Sequence, residues 1–423
     1  MNEKDLVVTL PGTTVGVLSQ NQAGLVKWLP DAPWEAANQH PRLGLAFLRS
    51  RGPQSHASDL PAWFENLLPE RTSPLRQRLC QLHGLRDGQS FALLRVLGHD
   101  LIGAVEVINP TSTTATEMTS GPVGRPPHVE NAPGDTNYTD KSALRLSALT
   151  GMQLKFSMSM VDDRLILPAI DSASQWIVKF PGAEFEELAQ VEHATMSWAR
   201  AAGFNVPDHK VVNVAELDGI PTGWTAAGCA FAVKRFDRRS DGSKVHQEDL
   251  CQALQLRSAD KYGDGNERVS FEGALRLVID ACGETEGREM ARRVGFMIAS
   301  GNSDAHLKNW SLLWGDRVSP ILTPSYDLVA TIAWRDKLGW GLKGGPTLAL
   351  ALGGQKEFRQ LNNTALQEAT QRVGVAWLSD EVRDGIERAK RAWKDIEQTT
   401  PSRMCKAVAE HWDAVPLLAT FNK

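Results

Sequence analysis

The sequence lacks several patterns that would assign it at once to a class of protein. Its five cysteines are far apart and form no CxxC pair, so neither a disulfide framework nor a zinc site is indicated. No run of about 18 apolar residues occurs, so we expect no membrane-spanning helix. The N-terminus is polar and lacks the basic-then-apolar pattern of a signal peptide. We therefore expect a cytoplasmic protein that does not act at a membrane.

An excess of basic residues is also missing. The formal net charge is −4 and the pI about 6.2, so the composition gives no global sign of nucleic-acid binding. Hydrophobic residues make up 42% of the 423 residues and charged residues 23%, which is ordinary for a globular protein. At roughly 100–200 residues per domain, this length predicts two or three domains.

One segment interrupts the hydrophobic patterning of the chain. Residues 111–140 are rich in Thr, Pro, Gly and Asn without periodicity, which is typical of a linker or mobile loop. We therefore predict an N-terminal unit (1–110), a linker (111–140), a β-rich lobe (141–240) and a helical lobe (241–423). A β-rich part followed by a helix-rich part favours a two-lobed α+β fold.

Local patterns support this division. Short apolar runs predict strands over residues 6–10, 15–18, 104–108, 144–147, 154–158, 165–167, 176–180 and 229–236. Helical patterns lie over residues 60–68, 74–83, 184–202, 250–256, 271–281, 288–300, 365–373 and 379–399.

Asp304 and Asn309 carry the first chemical signal, because they follow a helical apolar stretch with the spacing Asp-x-x-x-x-Asn. Protein kinases use this spacing in the catalytic loop, where the Asp accepts the proton of the acceptor hydroxyl and the Asn binds a metal ion. The spacing alone is common, and a solvated turn is the simpler interpretation.

Asp327 offers a second carboxylate after another apolar run. A hairpin of two strands, over residues 310–314 and 318–322, would bring it back beside Asn309. Two protein oxygens suit Mg²⁺, which usually completes its coordination with phosphate and water. The alternative is that Asp327 caps a helix that begins at Leu328.

Lys179 lies inside an apolar predicted strand, where an ammonium is costly to bury unless its charge is used. Kinases pair such a lysine with a helix glutamate, and Glu192 is the candidate here. A lysine at a solvent-facing strand edge and a surface glutamate are the alternatives. Residues 147–155 match neither GxGxxG nor the Walker A loop, although backbone N–H groups and Lys155 could still cover phosphates.

Taken together, these segments resemble the HipA family of bacterial serine/threonine kinases, the toxins of HipBA toxin–antitoxin pairs. The resemblance runs in order along nearly the whole chain, over residues 59–70, 150–155, 177–181, 232–238, 246–252, 303–309 and 322–327. The segments over 235–238 and 303–309 are the most specific. The family resemblance implies a two-lobed, kinase-like fold.

The resemblance also implies a role for each matching residue. Asp304 would be the catalytic base, Asn309 and Asp327 would hold Mg²⁺, and Lys179 would contact the phosphates of ATP. The other residues implied at the ATP site are the loop residues Thr150, Gly151, Met152, Gln153, Leu154 and Lys155, the hinge residues Lys234, Arg235 and Phe236, and His306, Lys308 and Tyr326.

Two positions depart from the family pattern. Family members often carry a serine three residues before the loop glycine, and its autophosphorylation ejects the loop and silences the kinase. This chain has Ala148 there, so self-phosphorylation is either absent or moved to Ser147 or Thr150. The hinge glutamate of some members is Lys234 here.

The implied function is that of a toxin kinase that uses ATP and Mg²⁺. Its target would be a protein such as an aminoacyl-tRNA synthetase, and its phosphorylation would stop growth. A helix-turn-helix antitoxin similar to HipB would bind the chain, and DNA would be contacted only through that antitoxin. Two alternatives stay open: a kinase of a lipid or small molecule, and a non-catalytic partner of a DNA-binding antitoxin.

Overall fold

The computed structural model of the chain describes most of the sequence. The described residues are 5–37, 41–49, 52, 54–55, 60–86, 88–110, 154–162, 164–167, 174–180, 185–220, 227–263, 266, 269–337 and 345–421. The linker over 111–140, the strand predicted over 144–147 and the loop residues Ser147, Ala148 and Thr150 to Gln153 lie outside this part of the chain.

The N-terminal unit consists of a twisted antiparallel sheet and short helices. Its strands are β1 (Asp5–Leu10), β2 (Thr13–Gln20), β3 (Val26–Pro30), β4 (Gln54–Ser55) and β5 (Glu106–Ile108). Its helices are α1 (Ala32–Ala36), α2 (Leu45–Arg49), α3 (Ala62–Glu65), α4 (Pro74–Leu82) and α5 (Ser90–Leu97). Along the described residues the strand order is β4-β3-β2-β1-β5.

A second antiparallel sheet forms the β-rich lobe. Its strands are β6 (Lys155–Val161), β7 (Arg164–Ile166), β8 (Trp176–Lys179), β9 (His209–Asn213) and β10 (Cys229–Lys234), in the order β7-β6-β8-β10-β9. Because side chains alternate along a strand, Ala230 and Ala232 join the core of the N-terminal unit, whereas Phe231 joins the core of the helical lobe. Lys155 and Lys179 are cross-strand partners in β6 and β8.

The helices of the helical lobe are α6 (Leu188–Ala201), α7 (Leu250–Ala253), α8 (Phe271–Cys282), α9 (Glu284–Ser300), α10 (Asn363–Val373), α11 (Leu378–Ile396), α12 (Ser402–Ala414) and α13 (Pro416–Ala419). Its strands are β11 (His246–Asp249), β12 (Ser311–Trp314), β13 (Ile321–Leu322), β14 (Thr347–Leu352) and β15 (Gln355–Glu357). The helical lobe includes α6, which lies within the stretch predicted as the β-rich lobe but packs into the same core as α9 and α11.

The end of α9 sets the direction of the chain into the segment 303–309. Gly301 terminates the helix in the left-handed region, with φ 64°, a conformation that glycine adopts without a Cβ penalty. A Cβ at this position would also collide with the side chain of Ile332. After the segment, β12 pairs with β11, which places Ser311 opposite Asp249.

Most predicted elements are confirmed, with ends that differ by a few residues. The helix predicted over 60–68 is wrong in extent, since only α3 is helical and Asn66 begins a turn before Pro69. The strand predicted over 318–322 is reduced to β13. Within the part of the chain that the structure describes, no helix combines the length and apolar composition needed to cross a membrane.

Candidate active site

Lys179 is the centre of a buried group of charges. Its Nζ contacts Oε1 of Glu192 on α6 and Oδ1 of Asp327. Lys179 and Glu192 are buried, and the side chain of Asp327 is 29% exposed. Lys155, the cross-strand partner of Lys179, lies with its Nζ 4.0 Å from Oδ2 of Asp327. The structure therefore brings together the lysine and the glutamate that the sequence suggested as a pair, with Asp327 beside them.

The protonation of this group follows from burial and neighbouring charge. Burial alone would lower the pKa of Lys179, but the carboxylates of Asp327 and Glu192 outweigh it and raise that pKa. Burial would raise the pKa of Asp327, yet the ammonium groups of Lys179 and Lys155 hold it well below its usual range. For Glu192 burial dominates, and its pKa is raised. Asp327 is thus the anionic member that a ligand can reach.

Asp327 has an unusual backbone conformation. Its φ is 56°, in the left-handed region, where a residue other than glycine is uncommon. No helix begins at Leu328, and the next helical turn is a 3₁₀ turn over Thr331–Trp334. The alternative that Asp327 is a helix cap is therefore wrong. A strained aspartate in a group of charges is typical of a functional site.

The segment 303–309, named the catalytic loop for the role that the family resemblance implies, is held by hydrogen bonds within it and to Asn302 and Thr331. Nδ2 of Asn309 donates to the carbonyl oxygen of Asp304 at 2.6 Å, and the N–H of Asp304 donates to Oδ1 of Asn302 at 3.0 Å. The N–H of Ser303 donates to Oγ1 of Thr331 at 2.8 Å. Because the amide nitrogen of Asn309 is used in this way, its side-chain oxygen is the atom that can bind a cation.

Asp304 is the more open carboxylate, with 52% of its side chain exposed. The hydroxyl of Tyr262 donates to its Oδ1 at 2.6 Å, and Nε2 of His306 lies 3.9 Å from the same oxygen. The surrounding protein displaces water from Asp304 and, with Asp327 nearby, raises its pKa, whereas the Tyr262 hydrogen bond opposes the rise. A carboxylate with a raised pKa is a better proton acceptor than an ordinary one.

His306 is buried and neutral at physiological pH. Burial, with a contribution from Lys261, lowers its pKa to about 3. Its ring packs edge-on against Tyr262, with centroids 5.0 Å apart. Its Nδ1 is buried and has no hydrogen-bond partner among the described residues. A buried nitrogen without a partner fits a site that is completed by a ligand.

The hinge predicted over Lys234 to Phe236 follows β10. The N–H groups of Lys234 and Arg235 donate to the carbonyl oxygens of Asp208 and Gln175, each at 2.8 Å, so other groups of the hinge would have to read adenine. The ring of Phe236 lies 5.5 Å from that of Tyr326. The carbonyl oxygen of Leu154 accepts a hydrogen bond from the N–H of Phe180, which places Leu154 beside β8.

Two side chains implied at the ATP site are engaged elsewhere. The guanidinium of Arg235 is buried on Asp237, with further contacts to Asp100 and to the carbonyl of Leu101. The ammonium of Lys308 is buried on Asn66 and Asp249. Only the backbone of these two residues remains for contacts with a nucleotide.

The oxygen atoms of Asn309 and Asp327 suit Mg²⁺. No group of three or more His, Cys, Asp or Glu residues that could hold a metal occurs in the described part of the chain. Mg²⁺ does not need such a cage, because one or two carboxylates plus phosphates and water satisfy it. In this structure Asp327 contacts the ammonium groups of Lys179 and Lys155, so Mg²⁺ would have to share or displace these contacts to bind the carboxylate.

Tyr262 is a site residue that the sequence did not reveal. It lies 42 positions before Asp304 and carries no recognisable spacing. Asn66, Glu70 and Asp249 also reach the catalytic loop or its neighbours, as described below. These three belong to segments that resemble the family, which was the available signal, but nothing in the sequence indicated what they contact.

The site and the fold define an α+β protein with two lobes and a kinase-like architecture. The family model described as the HipA N-terminal domain matches residues 6–108, and the one described as the HipA-like C-terminal domain matches residues 147–404. The chain belongs to the HipA family.

Relatives extend over the whole chain. The Sinorhizobium fredii protein named "Putative kinase Y4dM" is 31% identical over 99% of this chain and 98% of its own. The Shewanella oneidensis protein named serine/threonine-protein kinase toxin HipA is 28% identical over 66% of this chain and 65% of its own. A solved structure of HipA with HipB and operator DNA from Shewanella oneidensis MR-1 matches with a TM-score of 0.70 and 22% identity, and covers 96% of this chain and 94% of that chain.

Proposed function

We propose that this chain is an ATP- and Mg²⁺-dependent serine/threonine protein kinase that acts as the toxin of a type II toxin–antitoxin system. The observations that carry the proposal are the contacts of the Lys179 ammonium with Glu192 and Asp327, and the loop in which Asn309 holds the carbonyl oxygen of Asp304. Membership of the HipA family and the names of its relatives support the same class.

Each residue has a chemical task in this proposal. Asp304 orients the acceptor hydroxyl and takes its proton, for which its raised pKa is suited. Lys179 offers its ammonium to phosphate oxygens, and Glu192 keeps that ammonium in place. Asn309 and Asp327 would hold Mg²⁺, which when bound neutralises charge on the phosphates. Catalysis then rests on positioning and electrostatics.

A similar solved structure supports the proposed partners. That structure is of HipA with HipB and operator DNA. We therefore expect an antitoxin similar to HipB, with DNA contacted only through it, and a cytoplasmic location. We further propose that the acceptor is a translation component such as an aminoacyl-tRNA synthetase, and that its phosphorylation arrests growth.

The test replaces the proposed base. Asp304→Ala should lower phosphotransfer about 10²- to 10⁴-fold while nucleotide binding is largely retained, because the loss falls on proton transfer and acceptor positioning. Phosphoproteomics after brief induction of parent and variant would identify the acceptor. Asp384→Ala is the matched control, because Asp384 is an exposed aspartate on α11 that pairs with Arg388.

Three outcomes would contradict the proposal. If Asp304→Ala retained the activity of the parent, Asp304 would not be the catalytic base. Transfer of labelled phosphate to a lipid or a small molecule, and not to protein hydroxyls, would replace the protein kinase with one of the alternative functions. Absence of transfer in the parent would favour the non-catalytic partner.

A further inference from the structure

The N-terminal unit reaches the catalytic loop through Lys308. The ammonium of this residue is 5% exposed and has three acceptors: the carbonyl oxygen of Asn66 at 3.2 Å, Oδ1 of Asn66 at 2.8 Å and Oδ2 of Asp249 at 3.1 Å. Asn66 accepts two hydrogen bonds from the ammonium, and Asp249 forms an ion pair with it. Lys308 thus joins the catalytic loop to residues on two other elements.

Asn66 is fixed from both ends of its side chain. Its Nδ2 donates to the carbonyl oxygens of Leu256 at 2.7 Å and Ala62 at 2.9 Å, while Oδ1 accepts from Lys308. The residue is 1% exposed. Because a buried amide with unmet hydrogen bonds is unfavourable, Asn66 has one stable orientation, and that orientation faces Lys308.

Glu70 makes a second connection to the loop. Its Oε1 accepts from Nζ of Lys261 at 2.7 Å, and both side chains are largely buried. The carbonyl oxygen of Lys261 accepts the N–H of Leu307 in the catalytic loop at 3.2 Å. A shift of Lys261 would therefore be transmitted directly to the backbone of the loop.

The connection from Glu70 continues to the proposed base. Tyr262 follows Lys261 in the chain, donates its hydroxyl to Asp304 and packs its ring on His306. About half of the Asp304 side chain is exposed, so packing alone does not fix its orientation. Its orientation depends on a small number of hydrogen bonds, of which the Tyr262 bond is one.

We propose that Asn66 and Glu70 are positioning residues for phosphotransfer, which hold the catalytic loop from the N-terminal unit. Asn66 acts through Lys308, and Glu70 acts through Lys261 and Tyr262. The proposal rests on the proposed kinase function. The physical basis is that a displacement of about 1 Å at a reacting group can lower a rate about 10²-fold. The N-terminal unit is then a part of the catalytic machinery, although it contributes no group to the reacting atoms.

The kinetic test uses charge exchange. Glu70→Lys places two ammonium groups together, so kcat should fall about 10- to 100-fold because the loop shifts. The KM for ATP should stay within about threefold of the parent, since the phosphate contacts are unchanged. Addition of Lys261→Glu to the same chain restores an ion pair and should recover most of kcat. Asn66→Ala, which removes the amide contact with Lys308, should lower kcat in the same way.

The matched control is another ion pair that crosses from the N-terminal unit. Glu106 on β5 accepts from Nζ of Lys244 at 2.6 Å, in the turn that follows the hinge. Glu106→Gln removes this contact, whose side chains are more exposed than those of Glu70 and Lys261, and should leave kcat unchanged. Equal kcat values for the parent, Glu70→Lys and Asn66→Ala would overturn the proposal. The proposal would also be overturned if Glu106→Gln lowered kcat as much as Glu70→Lys does.

A second measurement does not depend on phosphotransfer. Hydrogen exchange should quicken at the amides of residues 303–309 in Glu70→Lys and slow again in the exchanged pair, while β1 and β2 keep their protection. If hydrogen exchange quickens throughout the chain in Glu70→Lys, and the double variant with Lys261→Glu does not reverse it, Glu70 acts on stability alone. That result would overturn the proposal. If the parent transfers no phosphate, the proposed function fails, and the exchange data still decide whether these residues hold the loop.

Discussion

Two of the buried groups of opposite charges in the described part of the chain differ in how they meet the solvent. The first consists of Lys179, Glu192 and Asp327, and the side chain of Asp327 is 29% exposed. The second ties the N-terminal unit to the turn after the hinge, and its side chains are between 1% and 15% exposed. Its members are Asp100, Arg235, Asp237 and Arg238.

The first group is a candidate binding site, and the second group, the clamp, is a structural cluster of ion pairs. Both groups shift pKa values strongly: Asp327 is held well below its usual range, and despite burial the guanidinium groups of Arg235 and Arg238 lower the pKa of Asp237 to about 2. A shifted pKa therefore does not distinguish them. In the second group, however, Arg238 also donates to the carbonyl oxygens of Gly103 and Leu101, so its donors are directed at the N-terminal unit. Only the first group leaves a charge that a ligand can reach.

The largest effect should come from the first group. Lys179→Met removes the ammonium offered to phosphate, and kcat/KM for phosphotransfer should fall about 10²- to 10³-fold, as for other preorganised donors. Steady-state kinetics would measure the loss. Lys210→Met is the control, because Lys210 lies on β9 of the same sheet, over the ring of Trp176. Parental kinetics in Lys179→Met would show that this group is a clamp too.

The second group should govern stability. Asp237→Asn leaves Arg235 and Arg238 buried with only the carboxylate of Asp100 between them, and the free energy of unfolding should fall by about 3–5 kcal/mol. Urea unfolding would measure this change. Activity per folded molecule should stay close to that of the parent. If activity falls as it does in Lys179→Met, the comparison between site and clamp is broken.

A buried histidine outside both groups, His411, affects the stability of the protein at acid pH. Burial and the nearby Arg335 lower the pKa of His411 to about 4 from an ordinary value of 6.5, although its Nε2 donates to the carbonyl of Ile298 at 2.8 Å. Between these values the imidazole of His411 is protonated in the unfolded chain and neutral in the folded chain. The free energy of unfolding therefore decreases as the pH falls from 6.5 towards 4.

The measurement compares urea unfolding near pH 7 and pH 5 in the parent and in His411→Gln. The variant should lose about 2 kcal/mol less than the parent between the two conditions, because glutamine takes up no proton. Equal losses in both proteins would mean that His411 does not titrate as expected, and the acid sensitivity would then belong to other groups.

The smallest effect should come from an ion pair without burial. Arg164 contacts Asp218 at 2.8 Å, with side chains 60% and 40% exposed. Arg164→Ala should change the free energy of unfolding by less than about 1 kcal/mol, because water competes with the pair. Urea unfolding of Arg164→Ala and Asp237→Asn under the same conditions would measure the difference between their free energies of unfolding. A loss of equal size in the two variants would show that pairing, and not burial, makes the clamp.

Part of the fold and part of the site could be predicted from the order of residues along the chain. Strands such as β1, β8 and β10 follow from short apolar runs, and α9 follows from its helical pattern, because local periodicity reports which face is buried. The helix expected over 60–68 forms only in part, because tertiary contacts hold Asn66 in a turn.

The directions of side chains were harder to predict than their positions. Arg235 and Lys308 stand in the segments that most resemble the family, yet their charges point into buried contacts with the N-terminal unit. Tyr262 had no signal at all, since its hydroxyl meets Asp304 only after the chain has folded. Such contacts join residues that are far apart in sequence.

The sequence by itself determined the class of fold, the family resemblance and the candidates Asp304, Asn309, Asp327 and Lys179, because these depend on residue type and spacing along one chain. The tertiary structure alone decided which charges are open to a ligand and which are closed. It also decided that Asn66 and Glu70 of the N-terminal unit meet Lys308 and Lys261 at the catalytic loop. The physical reason is that burial and charge pairing depend on neighbours brought together by packing, and these are not neighbours in the sequence.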